Sequence, residues 1–209
     1  HTNYLGHMVW GIRMHQIGAR MDVALSSNSI SAEERREARA LLAYVQHCAW
    51  DKDHFPGRNQ GFAWGSANMA TNIMTGRAMW ADLLAGHPRS EEWARRGVMF
   101  PVYDLKRYLH PESGVAQECP GYTGVNLTRD LVALSSMNNV IGPEALSELI
   151  PRLKGLAHWR LTTMPPPDVR FGQRMLLTLG DTPYHGDNVL GLLGTALLPY
   201  DRELAQECL

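Results

Sequence analysis

The connections between apolar segments alternate in length along this chain, and that alternation constrains its fold more than any single motif. Three connections, at about 26–31, 86–90 and 140–143, are short and made of capping and turn residues. Three others, at about 51–66, 110–121 and 163–187, are long and rich in Gly, Pro, Asn, Asp and His. The segments between them have a helical period. Leu5, Met8, Val9, Ile12, Ile17, Met21 and Ala24 fall on one face of a helix over roughly residues 3 to 25. Ser31 and Glu34 form a capping box that opens a second helix, through Leu41, Leu42, Val45 and Cys48 to about Trp50. A third covers about Ala67 to Leu84 and stops at Gly86-His87-Pro88. Ser90-Glu91-Glu92 caps a fourth, carrying Trp93, Val98, Val102, Leu105 and Leu109. A fifth follows Tyr122 through Leu127, Leu131 and Leu134, and Gly142-Pro143-Glu144 separates it from a sixth with Leu146, Leu149, Leu153 and Leu156. Val189 to Leu198 reads as a seventh. Apart from a short extended piece near Arg174 to Leu179, no run alternates with period two, so the class is all-α.

In a chain of antiparallel helices, alternate loops emerge at the same end, so the three long loops are expected on one rim. The repeating unit is a helical hairpin of roughly 55–60 residues, present about three times. Long connections without secondary structure are usually functional or disordered, and three converging on one face favour function.

Composition removes several classes. The 209 residues carry 20 Lys+Arg against 21 Asp+Glu, a formal net charge of -1. A general nucleic-acid binder needs clustered positive charge, so no nucleic-acid partner is expected. An anionic partner has to be caught by a local basic patch. No stretch approaches about 18 apolar residues, and no membrane span is expected. Cys48, Cys119 and Cys208 cannot all pair with one another and show no CxxC spacing, which excludes a disulfide scaffold and disfavours a zinc knuckle. No signal peptide is visible, and the chain reads as a processed or excised piece of a longer protein.

The first long loop contains Arg58-Asn59-Gln60-Gly61-Phe62-Ala63-Trp64. Amides and a guanidinium grip carboxylates, and aromatic faces suit the apolar face of a sugar ring. The competing reading makes Asn59 a turn cap and places Phe62 and Trp64 in the core. The preceding Asp51-Lys52-Asp53-His54 lacks the glycine of a calcium loop and a second His at ligand spacing, so it reads as a solvated turn and no metal is expected. In the second loop, Glu118-Cys119-Pro120-Gly121-Tyr122 puts a phenol at the mouth of the fifth helix, whose N–H groups favour negative charge. Its competing reading is a hydroxyl that anchors the loop. Cys119 reads as a small buried thiol rather than a nucleophile. The third loop brings Arg170, Arg174, Tyr184 and His185, extra positive charge and a titratable imidazole, with Asp181 a turn former or an acid.

Three stretches together resemble the heparinase II/III-like and alginate-lyase polysaccharide lyases: Arg58-Asn59-Gln60-Gly61 with Trp64 leading into a helix, Glu118-Cys119-Pro120-Gly121-Tyr122 opening another, and a late Leu179-Gly180-Asp181. Members of that family have an (α/α) toroid domain followed by an antiparallel β-sandwich. The resemblance implies an incomplete toroid of antiparallel helical hairpins over residues 1–209, with the β-sandwich domain lying outside them. It also implies lyase action on a uronic-acid-containing polysaccharide, a periplasmic or secreted setting, and no cofactor. By position, Asn59 would hydrogen-bond the uronate carboxylate, and Tyr122 would serve as base at C5, acid at the departing O4, or both. Arg58, Gln60, Trp64, Glu118, Arg174 and His185 would hold the acidic chain. Many relatives carry His where this chain has Gln60. An amide neutralises a carboxylate but relays no proton near pH 7, which leaves His54, His185 or another domain for that role.

Two other classes fit parts of the sequence. A glycoside hydrolase on a similar toroid needs two carboxylates about 5–10 Å apart, for which Glu118 with Asp53 or Asp181 are the candidates. A non-catalytic helical carbohydrate-binding scaffold would need neither. Isoprenoid cyclases also use helical barrels, but their aspartate-rich metal motif is missing.

Overall fold

A computed structural model describes residues 8–51, 67–176, 179–180 and 189–209, and for residues 8–13, 67–70 and 139 the backbone alone. The described residues are helical, in the order α1 (Met8–Ser26), α2 (Ala32–Trp50), α3 (Ala67–Leu83), α4 (Ser90–Tyr108), α5 (Pro120–Ile141), α6 (Glu144–Ser147), α7 (Ile150–Thr163), α8 (Val189–Leu197) and α9 (Arg202–Cys208). Extended pairing among them is confined to two isolated antiparallel bridges, Leu109 with Ala116 and Asp168 with Gln173. No helix among them is long and apolar enough to cross a membrane.

The chain divides into two compact units, residues 1–101 with 132–142 and residues 102–131 with 143–209. In the first, α3 packs against α1 and α2. The approach of α1 is close because glycines stand where side chains would collide. A Cβ on Gly76 would fall 2.8 Å from Met14 Cβ, and one on Gly18 only 3.1 Å from Trp80 Nε1. The buried Trp80 ring fills that space, and its indole N–H donates to the Met14 carbonyl at 2.9 Å. Helix ends leave carbonyls without partners, and arginines of α2 supply them. Arg35 donates to Leu25 in the last turn of α1 and to Ser27 and Ile30 beyond it, and Arg39 to Leu83 and Ala85 at the end of α3. These cations also meet the negative end of each helix dipole.

In the second unit α7, α8 and α9 pack on one another around Leu153, Leu156, Leu193, Leu197 and Leu204. Gly194 lets α9 approach, since a Cβ there would lie 2.8 Å from the Ala205 carbonyl oxygen. Asp201 caps α9 by accepting from Leu204 N–H at 3.2 Å, and its other oxygen pairs with Lys154 at 2.8 Å.

The capping box at Ser31 and Glu34 forms in both directions as expected, and Gly86 ends the α3 turn with φ at 86°. At α4 the Ser90 hydroxyl donates backwards to the His87 carbonyl instead of accepting from the helix. The fifth helix begins earlier than the sequence predicts. Pro120 occupies its first position, where a missing N–H costs nothing, so Tyr122 lies inside the first turn. The predicted sixth helix is two, α6 and α7, because Pro151 lacks an N–H and its ring collides with a carbonyl one turn back. The expectation that the long loops share a rim falls largely on residues 52–66 and 181–188, outside the described residues.

Candidate functional site

The second long connection folds back on the end of α4 and is held at several points. Gln117 N–H donates to the Tyr108 carbonyl at 3.1 Å and His110 N–H to Val115 at 3.0 Å, making the Leu109–Ala116 bridge. Arg152 of α7 donates to the Leu109 carbonyl at 2.6 Å. At the tip, Gly114 adopts φ 66° and lies on Gly155 of α7 so closely that a Cβ would meet the Leu156 nitrogen at 2.2 Å. Each glycine is the condition for the other, because a Cβ on Gly155 would stand 2.5 Å from the Ser113 carbonyl oxygen.

This fastening delivers Glu118 to the start of α5. Its carbonyl accepts from the Thr123 hydroxyl at 3.2 Å, and its carboxylate accepts from the Asn126 amide at 3.2 Å. Thr123, Asn126, Leu127 and Asp130 recur on one face of α5, opposite Asp104, Leu105 and Tyr108 of α4 and Leu109 just beyond it. The two rows and Glu118 line one pocket.

Acidic groups concentrate in this pocket. Asp130 is fully buried and Asp104 is 5% exposed. Burial pushes the Asp130 carboxyl well above the ordinary carboxylate range, reinforced by the charge of Asp104, while Arg129 opposes. Burial and then Asp104 raise Glu118 as well. Tyr108 is raised by burial and by the charges of Asp104, Glu118 and Asp130, against Arg107. Carboxyls perturbed by burial and by one another in a single pocket mark a candidate site for proton chemistry. Among the described residues no group of three His, Cys, Asp or Glu is placed to hold a metal ion.

The residues singled out in the sequence are distributed unevenly. Tyr122 is 37% exposed in the first turn of α5, not among the residues that line the acidic pocket. Its turn is held by Arg160 of α7, a fully buried side chain whose guanidinium donates to the Pro120 carbonyl at 3.0 Å. Arg174 places its guanidinium on the carbonyls of Leu161, Met164 and Pro165, closing the end of α7. Arg58, Asn59, Gln60, Trp64 and His185 lie outside the described residues, as do His54, Asp53 and Asp181. Cys48, Cys119 and Cys208 form no disulfide, and Cys119 is half-buried beside Gly180 rather than enclosed. Asp104, Asn126 and Asp130 were missed in the sequence. The signal was a charge set within an apolar stripe: Asp104 precedes the buried Leu105, and Asp130 falls between Leu127 and Leu134.

No family model, curated protein or solved structure matches this chain.

Proposed function

We propose that this chain is the helical toroid domain of a polysaccharide lyase that cleaves a uronic-acid-containing chain by β-elimination, leaving a 4,5-unsaturated uronate at the new non-reducing end. The observation that carries the reading is Tyr122, an exposed phenol in the first helical turn after Glu118-Cys119-Pro120-Gly121. A base in a fixed helical turn reaches substrate in one geometry, which is what abstraction of a weakly acidic proton requires. The C5 hydrogen lies beside a carboxylate, so its removal builds a second negative charge on the carboxyl group. The Asn59 amide meets that charge, and one preorganised donor of this kind is worth about 3–4 kcal/mol of barrier. Tyr122 takes the C5 proton and returns it to O4 as the glycosidic bond breaks. Arg58, Gln60, Trp64, Glu118, Arg174 and His185 are assigned to the acidic chain, and the family's β-sandwich domain to a further wall of the cleft.

The test is incubation of the full-length protein with alginate, glycosaminoglycans and ulvan, following ultraviolet absorbance of the new C4–C5 double bond. A rise that tracks chain cleavage is expected. Cleavage without absorbance would instead favour hydrolysis, the second reading, for which the raised carboxyl of Glu118 is the supporting observation. No cleavage of any of the polymers would end both.

A further inference from the structure

We propose that Arg129 of α5 binds an acidic group of the polysaccharide, two helical turns from Tyr122 and on a sugar outside the reacting one. The inference rests on the lyase reading for the path of the chain past that phenol. It starts from a hydrogen-bonding deficit. A guanidinium has five N–H donors, no acceptor, and a charge it keeps at any ordinary pH. Arg129 is half-buried, and its Nη1 is fully enclosed with nothing to donate to. Leaving a buried donor unmatched costs free energy, and more so on a charged group, so such a donor calls for an explanation.

The sequence neighbour of Arg129 does not supply the acceptor. Asp130 stands about 100° further round the helix. It lines the acidic pocket, Arg129 does not, and the two form no hydrogen bond. Burial lowers the proton affinity of Arg129, and the charge of Asp130 only partly restores it.

Position shows where an acceptor would come from. Seven residues make almost two turns, so Arg129 lies about 20° round α5 from Tyr122 and about 10.5 Å further along it. Val125 falls between them on the same side and is exposed to the same degree as Tyr122. Phenol, isopropyl group and guanidinium thus form a row along α5. Charge decides the class of group bound. A fork of N–H donors fits a carboxylate or another oxyanion. A neutral sugar hydroxyl would accept one hydrogen bond and leave the half-buried charge uncompensated. A uronate or sulfated chain repeats its anion along its length, so a sugar outside the reacting one carries an acid as well. Because Arg129 touches no reacting atom, its contact strengthens substrate and transition state alike, and the effect falls on affinity.

The experiment measures binding of an alginate hexasaccharide, a heparin hexasaccharide and neutral cellohexaose by titration calorimetry. It uses the full chain with and without Arg129→Gln, each carrying Tyr122→Phe so that nothing is cut. At least one acidic hexasaccharide should bind, and cellohexaose should not. Binding of alginate identifies a carboxylate, and binding of heparin alone a sulfate. Arg129→Gln should weaken the acidic complex about ten- to hundredfold, the range of a hydrogen bond to a charged group. Arg129→Lys, which keeps the charge and loses the fork, should fall between. Equal affinity in parent and Arg129→Gln would overturn the proposal, whether or not the variant melts lower. So would acidic hexasaccharides that bind no better than cellohexaose. The protein with Tyr122 intact separates the two readings. Cleavage with the same KM in parent and Arg129→Gln overturns this site and leaves the lyase reading. Acidic chains that bind through Arg129 and are never cut leave the anion site standing and end the lyase reading.

Discussion

Replacing Gly114 by alanine tests whether the connection that presents Glu118 is welded to α7 as the geometry requires. Two separate costs apply. The first is conformational: φ at 66° is a left-handed backbone that an L side chain adopts at about 1–2 kcal/mol. The second is steric, because the new Cβ would fall 2.2 Å from the Leu156 nitrogen and 2.3 Å from the Arg152 carbonyl oxygen. Both are helix backbone and cannot rotate away, so a shift of the connection adds about 1–3 kcal/mol. Gly172 supplies the control. It lies in the same unit with φ at 65°, but nothing stands within 4 Å of its would-be Cβ. Gly172→Ala should therefore show the conformational cost alone. At about 2–4 °C per kcal/mol for a chain of this length, Gly114→Ala should lose roughly 4–20 °C of Tm and Gly172→Ala roughly 2–8 °C. Circular dichroism melts of both variants at one pH make the comparison. Equal losses would show that the contact with α7 contributes nothing and would refute the reasoning.

Three further outcomes are expected. Tyr122→Phe should abolish turnover on a uronate polymer while leaving the melting curve unchanged, because the exposed hydroxyl is all that is removed; retained turnover would exclude the acid–base role. Asn59→Ala should lower kcat more than it raises KM, since the charge it meets develops in the transition state, and steady-state kinetics with an unchanged kcat would demote it to a turn residue. Ser31→Ala should cost about 1 kcal/mol in denaturant unfolding by deleting the acceptor for Glu34 N–H, and a loss of the same size on Leu41→Ala, an exposed position of α2, would argue against a cap-specific effect.

Helix boundaries were legible wherever a side chain or a dihedral angle enforces them locally. Ser31 with Glu34, Gly86, and Gly142 with φ at 88° each act within a few residues, so the sequence determines them alone. The split between α6 and α7 was missed because the leucine spacing from Leu146 to Leu156 continues through Pro151, and periodicity carries no penalty for a missing N–H. The short helix α9 was missed although Asp201 caps it locally, because seven residues are too few to show a helical period. The acidic pocket was half legible. Glu118 stood out beside Tyr122, whereas Asp104 and Asp130 come to line one pocket only when their stretches of α4 and α5 lie together, which is a tertiary event. Arg174 shows what a local reading leaves out: its guanidinium also donates to carbonyls at the end of α7, residues that its own stretch of sequence does not point to.

The buried Arg160 has a mechanical consequence. It ties the first residue of α5 to the middle of α7, so the turn bearing Tyr122 is braced by a helix instead of hanging on a hinge. A phenol mounted this way keeps its bearing when the surrounding loops drift in sequence. Under the proposed lyase reading, a change of sugar would leave the aim of the phenol unaltered.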